Sequence, residues 1–110
     1  MGVASHVYGG IEAGGTKFVC AVGKAPQTVQ ASTSLPTTTP TETLAQVIAF
    51  FQPYALQSLG LAAFGPIDLN RASPTYGYIL SSPKLAWQRC PIVDILHTAL
   101  GVPEHVPRDR

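Results

Sequence analysis

The chain has few charged residues and few cysteines, and it contains no long hydrophobic run. Only 12% of its 110 residues are charged, although 45% are apolar, whereas a typical soluble domain has about 25% charged residues. This shortage predicts a surface that another domain or another chain covers. The net charge of +1 gives no reason to expect nucleic acid or an anionic membrane as a partner. No apolar run approaches the ~20 residues that span a bilayer, so no membrane-crossing helix is expected.

The cysteines and histidines do not form a recognisable site. Cys20 and Cys90 are isolated, neither stands in a Cys-x-x-Cys pair, and the three histidines are scattered along the chain. These residues predict no metal centre, and Cys20, inside a strand-like run, is interpreted as a small buried apolar residue. Residues 1–7 contain neither a basic region nor a long apolar core, which argues against a signal peptide. We expect one cytoplasmic domain with a core of modest size.

Short apolar runs predict an α/β fold with a mixed sheet. The runs at 8–13 and 16–23 are rich in Val, Ile and Phe and flank a Gly-Gly pair, which predicts an antiparallel hairpin. A Thr- and Ser-rich run at 28–35 predicts a third, edge-like strand. The run at 59–64 is wholly apolar, which predicts a strand buried on both faces. A helix between the third and fourth strands would form a crossover connection.

Two segments carry helix signals. Thr39 is expected to cap the first helix, with Pro40 at its first position and Glu42 completing a capping box. An apolar stripe continues this helix until Pro53 ends it. A second amphipathic helix is expected over 92–100, because its apolar residues recur at helical spacing and a proline and a glycine flank them.

The turn between the first two runs is a candidate phosphate site. Its residues are Gly14, Gly15, Thr16 and Lys17. Glycine permits a positive φ and leaves no Cβ in the way of a ligand, and backbone N–H groups in such a turn can bind phosphate oxygens. The Thr16 hydroxyl would add a further hydrogen-bond donor for phosphate, and Lys17 would add a positive charge. The alternative is a plain tight turn with no ligand. A strand-like run follows where a Walker A loop or a dinucleotide-binding motif would need a helix, so both motifs are excluded.

A second candidate loop follows the 59–64 run at Gly65 and Pro66. Ligands of open α/β sheets bind beyond the carboxyl ends of strands, so this loop is either functional or a plain Gly-Pro turn. The segment 68–87 is long for a structureless loop and is rich in Pro, Gly, Ser and Tyr. Its length predicts a functional loop or a small hairpin.

Three sequence blocks carry a resemblance to a known family. They read YGGIEAGGTKFVCAVG at 8–23, GLAAFGPIDL at 60–69, and SPTYGYI followed by SPKLAW within 73–87. In this order and at this spacing they resemble the ROK-family fructokinases, which are bacterial sugar kinases of the sugar-kinase, Hsp70 and actin superfamily. The resemblance covers residues 8 to about 103.

The resemblance implies a fold, an activity and a set of binding residues. Residues 1–103 would form the N-terminal lobe of the actin-like ATPase or sugar kinase fold, which is ribonuclease H-like. The activity would be transfer of the ATP γ-phosphoryl group to the 6-hydroxyl of fructose, with mannose or glucose as alternatives. Glu12 would orient Mg²⁺ through water. The residues that hold the ATP phosphates would be Gly14, Gly15 and Thr16, with Lys17 beside them.

On the sugar side, the resemblance places Gly65 and Pro66 at the border of the sugar pocket. Lys84 and Trp87 match a family motif on this side, and the resemblance gives them no role. Trp87 could instead be an anchor of the hydrophobic core.

The resemblance implies no catalytic base within this chain. The family carries its base in an Asp-Val-Asn-Ala-Ala block, and residues 104–110 diverge from that block. Asp109 lies near the expected distance, but no Val-Asn follows it, so neither Asp109 nor Glu104 is given the catalytic role. A shifted reading frame or an internal deletion would explain the divergence. We therefore expect a non-catalytic remnant, or one half of a split kinase that needs a complementing C-terminal lobe or a homodimer.

Overall fold

The computed structural model describes residues 7–25, 28–63, 65–82 and 84–101, and the backbone of residues 104 and 105. The strands of this part of the chain are β1 (Val7–Ala13), β2 (Lys17–Ala25), β3 (Thr28–Pro36), β4 (Leu56–Ala63) and β5 (Glu104–His105). Its α-helices are α1 (Pro40–Phe51) and α2 (Ile92–Leu100), and a short 3₁₀ turn covers Leu85–Trp87. None of the helices in these ranges is long and apolar enough to cross a membrane.

The strands form one mixed sheet in the order β3-β2-β1-β4-β5. β1 pairs antiparallel with β2, and β2 pairs antiparallel with β3, so the first three strands form consecutive hairpins. β4 lies parallel to β1 on its other side, and α1 makes the crossover between β3 and β4. This arrangement confirms the predicted α/β class, the mixed sheet and the edge position of the third strand. β5 was not predicted, because two residues are too few to show a strand period.

One face of the sheet carries the hydrophobic core. Inward side chains such as Ile11, Phe18 and Leu61 are buried, and both α-helices and Trp87 contribute to the same cluster. The opposite face, here called the open face, carries mostly glycine, alanine and serine. Its central residues are paired across three strands: Gly10 with Ala21 and Gly60, and Glu12 with Val19 and Ala62. The residues of the open face are half-buried or exposed.

The prediction that the fourth strand is buried on both faces is wrong. Leu59 and Leu61 are buried, whereas Gly60 is half-buried and Ala62 is exposed. Within the described residues, no element covers the open face, so β4 has one buried face and one accessible face. The prediction of burial on both faces failed because glycine and alanine count as apolar residues but have little surface to bury. Phe64, the last residue of the predicted run, lies outside the described residues.

Local chemistry explains where α1 begins and ends. The hydroxyl of Thr39 accepts a hydrogen bond of 3.2 Å from the backbone N–H of Glu42, and Pro40 is the first helical residue, as predicted. The second half of the expected capping box differs, because the Glu42 carboxylate accepts instead from the Thr38 hydroxyl at 2.9 Å. The helix ends at Phe51 with Gln52 as its C-cap, directly before a proline.

The segment between β4 and α2 contains a small antiparallel arrangement. Isolated bridges join Ile79 to Ile67 on one side and to Cys90 on the other. The bridge between Ile67 and Ile79 agrees with the hairpin alternative of the prediction, although turns replace regular strands, and the functional alternative stays a prediction. α2 follows as predicted and ends at Gly101, whose φ of 67° is the left-handed conformation typical of a glycine C-cap.

Both cysteines are buried, and neither forms a disulfide with the other. Burial raises the pKa of Cys20 from 9.0 to about 12 and the pKa of Cys90 to about 11, because the apolar surroundings disfavour the thiolate. The structure thus confirms that Cys20 acts as a small core residue.

Candidate functional site

The two candidate loops leave the sheet at the same end. Ala13, the last residue of β1, pairs with Phe18 of β2 and with Ala63 at the end of β4. Because β1 and β4 are parallel, the turn after β1 and the loop after β4 both lie beyond strand carboxyl ends. This is the edge at which ligands bind in open α/β sheets.

The turn at residues 14–17, here called the phosphate loop after the role that the sequence predicts for it, is held through its carbonyl oxygens. The backbone N–H of Gly14 donates to the Lys17 carbonyl at 2.9 Å, which closes the turn. Thr37 holds the loop from the side: its hydroxyl donates to the Gly14 carbonyl at 2.8 Å, and its N–H donates to the Thr16 carbonyl at 2.9 Å. Within the described chain, the N–H groups of Gly15 and Thr16 donate to no protein acceptor.

Gly14 is required for space rather than for a positive φ. Among the described glycines, only Gly77 and Gly101 have a positive φ. A Cβ on Gly14 would lie 2.8 Å from the Lys17 carbonyl oxygen, which is too close for a normal contact. Glycine is therefore needed at this position to avoid a clash within the turn itself, which is neither the positive φ nor the clearance for a ligand that the sequence predicts.

The phosphate loop borders an open depression of about 460 Å³. The predicted residues Glu12, Gly14, Gly15, Thr16 and Lys17 all line it, together with Val19, Ala62 and Ala63. The side chains of Glu12, Thr16 and Lys17 are exposed to solvent there. The depression thus offers one carboxylate, one ammonium group, one hydroxyl and two uncommitted backbone donors, and this set can bind a phosphate chain with a divalent cation.

The fold and the donor set fit a magnesium ion held mainly by water and phosphate. No group of three or more His, Cys, Asp or Glu side chains is close enough to hold a metal among the residues that the structure describes. Mg²⁺ commonly keeps several waters and is bound by one or two carboxylates and the phosphates of the substrate. Glu12 is the carboxylate that lines the depression.

The second loop lies at the same edge but outside the depression. Gly65 and Pro66 do not line it. A Cβ on Gly65 would collide with the carbonyl oxygen of Ser81, and the N–H of Leu80 donates to the Pro66 carbonyl at 2.9 Å. The loop therefore packs against the segment that follows it in the sequence, and its part in sugar binding stays a prediction.

Asp68 organises the turn that comes after this loop. Its carboxylate accepts a hydrogen bond of 2.6 Å from the Thr75 hydroxyl and one of 3.0 Å from the N–H of Asn70. Hydrogen bonds from the side chains of Ser73 and Thr75 and from the Asn70 backbone lower the pKa of Asp68, because they favour the charged form. The carboxylate is thereby occupied with its own loop.

Lys84 and Trp87 have different surroundings. Lys84 is exposed. Trp87 is fully buried, its ring centroid lies 5.3 Å from that of Phe18, and its indole N–H donates to the Thr38 carbonyl at 2.9 Å. The reading of Trp87 as a core anchor is confirmed. Asp109 lies outside the described residues, and only the backbone of Glu104 is described.

Sequence reasoning missed the threonines that support the phosphate loop. Thr37 is 8% exposed and Thr43 is fully buried, although threonine is usually found at the surface. For Thr37 the available signal is the run of three threonines at 37–39, in which the sequence analysis gives a role only to Thr39, as a helix cap; Thr43 lies outside this run, within α1.

Comparisons with known proteins place the chain in a family. The model of the ROK family matches residues 8–110. The fructokinase of Lactococcus lactis subsp. cremoris is 44% identical over 105 residues, which are 96% of this chain and 36% of the relative. The fructokinase of Streptococcus mutans is 43% identical over 107 residues, with the same coverage. The chain thus spans about a third of the length of the curated relatives it matches.

Solved structures share the fold at lower identity. A ROK glucokinase from Streptomyces griseus, solved with glucose and AMPPNP, superposes with a TM-score of 0.72 at 20% identity over 91% of this chain and 32% of that one. A glucokinase from Parabacteroides distasonis superposes with a TM-score of 0.74 at 18% identity over 94% of this chain and 30% of that one. These likenesses establish the actin-like ATPase fold of the ROK sugar kinases for the described part of the chain.

The proposed boundary at residue 103 remains a prediction. The family match continues to residue 110, and the backbone of residues 104 and 105 pairs parallel with β4 as part of the sheet.

Proposed function

Since the chain belongs to the ROK family, we propose that it provides the ATP phosphate-binding region of a fructokinase. That enzyme would transfer the γ-phosphoryl group of ATP to the 6-hydroxyl of fructose, in the cytoplasm. We propose fructose as the substrate, and not glucose or mannose, because relatives above 40% identity are named fructokinase. The two glucokinases compared above resemble the chain in fold at 20% identity or less.

The geometry of the phosphate loop carries this proposal. The carbonyl groups of Gly14, Thr16 and Lys17 accept hydrogen bonds within the protein. The N–H groups of Gly15 and Thr16 remain available beside the exposed Lys17. Backbone donors arranged in this way bind anionic oxygens. Phosphoryl transfer depends on positioning and on stabilising the charge of the phosphate chain, and these groups can supply both.

Glu12 completes the site on the cation side. Its carboxylate lies on the open face next to the phosphate loop and would hold the waters of a bound Mg²⁺. When bound, that ion would neutralise phosphate charge during transfer. Glu12 stands directly opposite Val19 and Ala62, whose small side chains leave room for a hydrated ion.

The base that accepts the sugar proton and much of the sugar pocket would come from outside the described residues. They would be supplied by a complementing lobe, encoded in the same or a separate chain, or by a second copy of the protein. The accessible open face supports such an assembly, because it holds a groove of about 660 Å³ lined mainly by small and apolar residues.

Titration calorimetry with MgATP on the full chain tests the phosphate site. The Lys17→Met variant should bind about fivefold more weakly, since an exposed ionic contact contributes about 1 kcal/mol. Lys24→Met is the matched control, because Lys24 is also exposed and lies near the other end of β2. Wild-type chain that does not bind MgATP, or an equal loss in both variants, would contradict the proposal.

The same titration without Mg²⁺ tests the role of Glu12. The Glu12→Gln variant should gain less affinity from Mg²⁺ than the wild type does, because a neutral amide holds the hydrated cation less strongly. Asp94→Asn removes another exposed carboxylate, on α2, and should leave the Mg²⁺ dependence unchanged. A Glu12→Gln variant with the full magnesium dependence of the wild type would remove Glu12 from the site.

A further inference from the structure

We infer that Thr37 is a positioning residue for the phosphate loop and that Trp87 holds Thr37 in place. Thr37 does not line the depression, so it would act on ATP only through the loop. This inference rests on the proposed phosphate-binding function. It adds two residues, outside the segment 12–17, that hold the phosphate loop in position.

Thr37 helps to set the orientation of two peptide groups of the loop, those that join Gly14 to Gly15 and Thr16 to Lys17. Its hydroxyl binds the Gly14 carbonyl and its N–H binds the Thr16 carbonyl, at 2.8 Å and 2.9 Å. In a trans peptide, the carbonyl and the following N–H point in opposite directions. The described peptides are trans, so directing the Gly14 carbonyl towards Thr37 directs the Gly15 N–H away from it. The Thr37 hydroxyl thus helps to set the direction of the Gly15 N–H.

The segment that carries Thr37 is itself fixed in the core. The next residue, Thr38, donates its backbone N–H to the hydroxyl of buried Thr43 at 2.9 Å. Its carbonyl accepts from the indole N–H of Trp87 at 2.9 Å. The Trp87 ring in turn packs against Phe18, which directly follows the phosphate loop in β2. Trp87 therefore supports the loop from both sides, through Thr38 and through Phe18.

The fold does not depend on the Thr37 hydroxyl. The hairpin of β1 and β2 has its own ladder of six residue pairs, and the bond from Gly14 to Lys17 closes the turn. The hydroxyl of Thr37 adds a bond to a carbonyl that the ladder does not use. Its loss should therefore loosen the loop and weaken phosphate binding while the sheet remains folded.

The test compares three variants of the full chain with the wild type. Thr37→Val keeps the shape of the side chain and removes the hydroxyl, whereas Thr37→Ser keeps the hydroxyl. Thr98→Val removes an exposed hydroxyl on α2 and is the matched control. Amide exchange by NMR without nucleotide reports on the loop, and calorimetry reports the affinity for MgATP.

Thr37→Val should increase the exchange rate of the Gly14 N–H and weaken MgATP binding about fivefold, the effect of one lost hydrogen bond. Thr37→Ser and Thr98→Val should stay within about twofold of the wild type. Normal MgATP affinity in Thr37→Val, or an equal loss in Thr37→Ser, would overturn the positioning role alone. Wild-type chain that does not bind MgATP would overturn the proposed function, and the positioning role with it.

Trp87→Phe provides a second test should Thr37→Val fail to fold. It keeps an aromatic ring against Phe18 and removes the donor to the Thr38 carbonyl. We expect faster exchange at Gly14 and weaker MgATP binding in this variant too. Unchanged exchange and unchanged affinity in a folded Trp87→Phe protein would show that Trp87 does not hold Thr37.

Discussion

Substitution of Gly14 by alanine should destabilise the chain, whereas the same substitution at Gly10 should not. Both glycines come from the first hairpin and neither has a positive φ. They differ in the space around a new methyl group. At Gly14 the Cβ would lie 2.8 Å from the Lys17 carbonyl oxygen, and at Gly10 no heavy atom lies within 4 Å.

The expected cost at Gly14 has two parts. Forcing a methyl group into an occupied space typically costs about 1–3 kcal/mol. The shift also strains the bond from the Gly14 N–H to the Lys17 carbonyl, and a typical hydrogen bond contributes about 1 kcal/mol. Together the free energy of unfolding should fall by about 2–4 kcal/mol. Gly10→Ala should instead stabilise by about 0.4–1 kcal/mol, because alanine restricts the unfolded chain.

Urea denaturation followed by the fluorescence of Trp87, the single tryptophan, measures both effects. With a slope of about 2 kcal/mol per molar urea, the Gly14→Ala midpoint should fall by about 1–2 M while the slope is unchanged. The Gly10→Ala midpoint should equal or exceed that of the wild type. A Gly14→Ala midpoint at or above that of Gly10→Ala would refute the steric argument.

Three further predictions concern packing and pH. Gly65→Ala should lower stability by about 1–3 kcal/mol, because its methyl group meets the Ser81 carbonyl oxygen; an unchanged melting temperature would contradict this contact. Thr43→Val should lower the free energy of unfolding by about 1–3 kcal/mol, because the buried hydroxyl forms hydrogen bonds with two backbone groups. A urea midpoint equal to that of the wild type would contradict this prediction. The raised pKa values of Cys20 and Cys90 mean that the contribution of these two thiols to stability should be constant below pH 9.0 and fall as the pH rises towards 12, because only the unfolded thiols ionise there. Replacing both cysteines by alanine should remove that alkaline fall, and a fall of the same size in the double variant would assign it to other groups.

Elements with local causes could be predicted from the sequence. α1 begins where Thr39 and Pro40 satisfy its first turn, and these residues are neighbours in the chain. The first hairpin follows from alternation around Gly14 and Gly15, because its strands are joined by a short turn. The residues of the proposed phosphate site lie together for the same reason, because Glu12 to Lys17 form one continuous segment.

Features that depend on distant partners could not be predicted in this way. β5 exists because two residues near the end of the chain reach the edge of β4, about 45 residues earlier. The accessible face of β4 depends on what covers it, and a run of small apolar residues does not contain that information. The support of the phosphate loop joins Thr37 to Gly14 across 23 residues and Trp87 to Thr38 across 49.

The sequence by itself determined which residues form the proposed phosphate site, the hairpin that presents them and the family to which the chain belongs. These properties follow from residue type and short-range spacing, which the order of amino acids states directly. Only the tertiary structure decided which way the loop amides point and which residues hold them. Hydrogen bonds and ring contacts of this kind join residues that are distant in the sequence and are neighbours only in the folded chain.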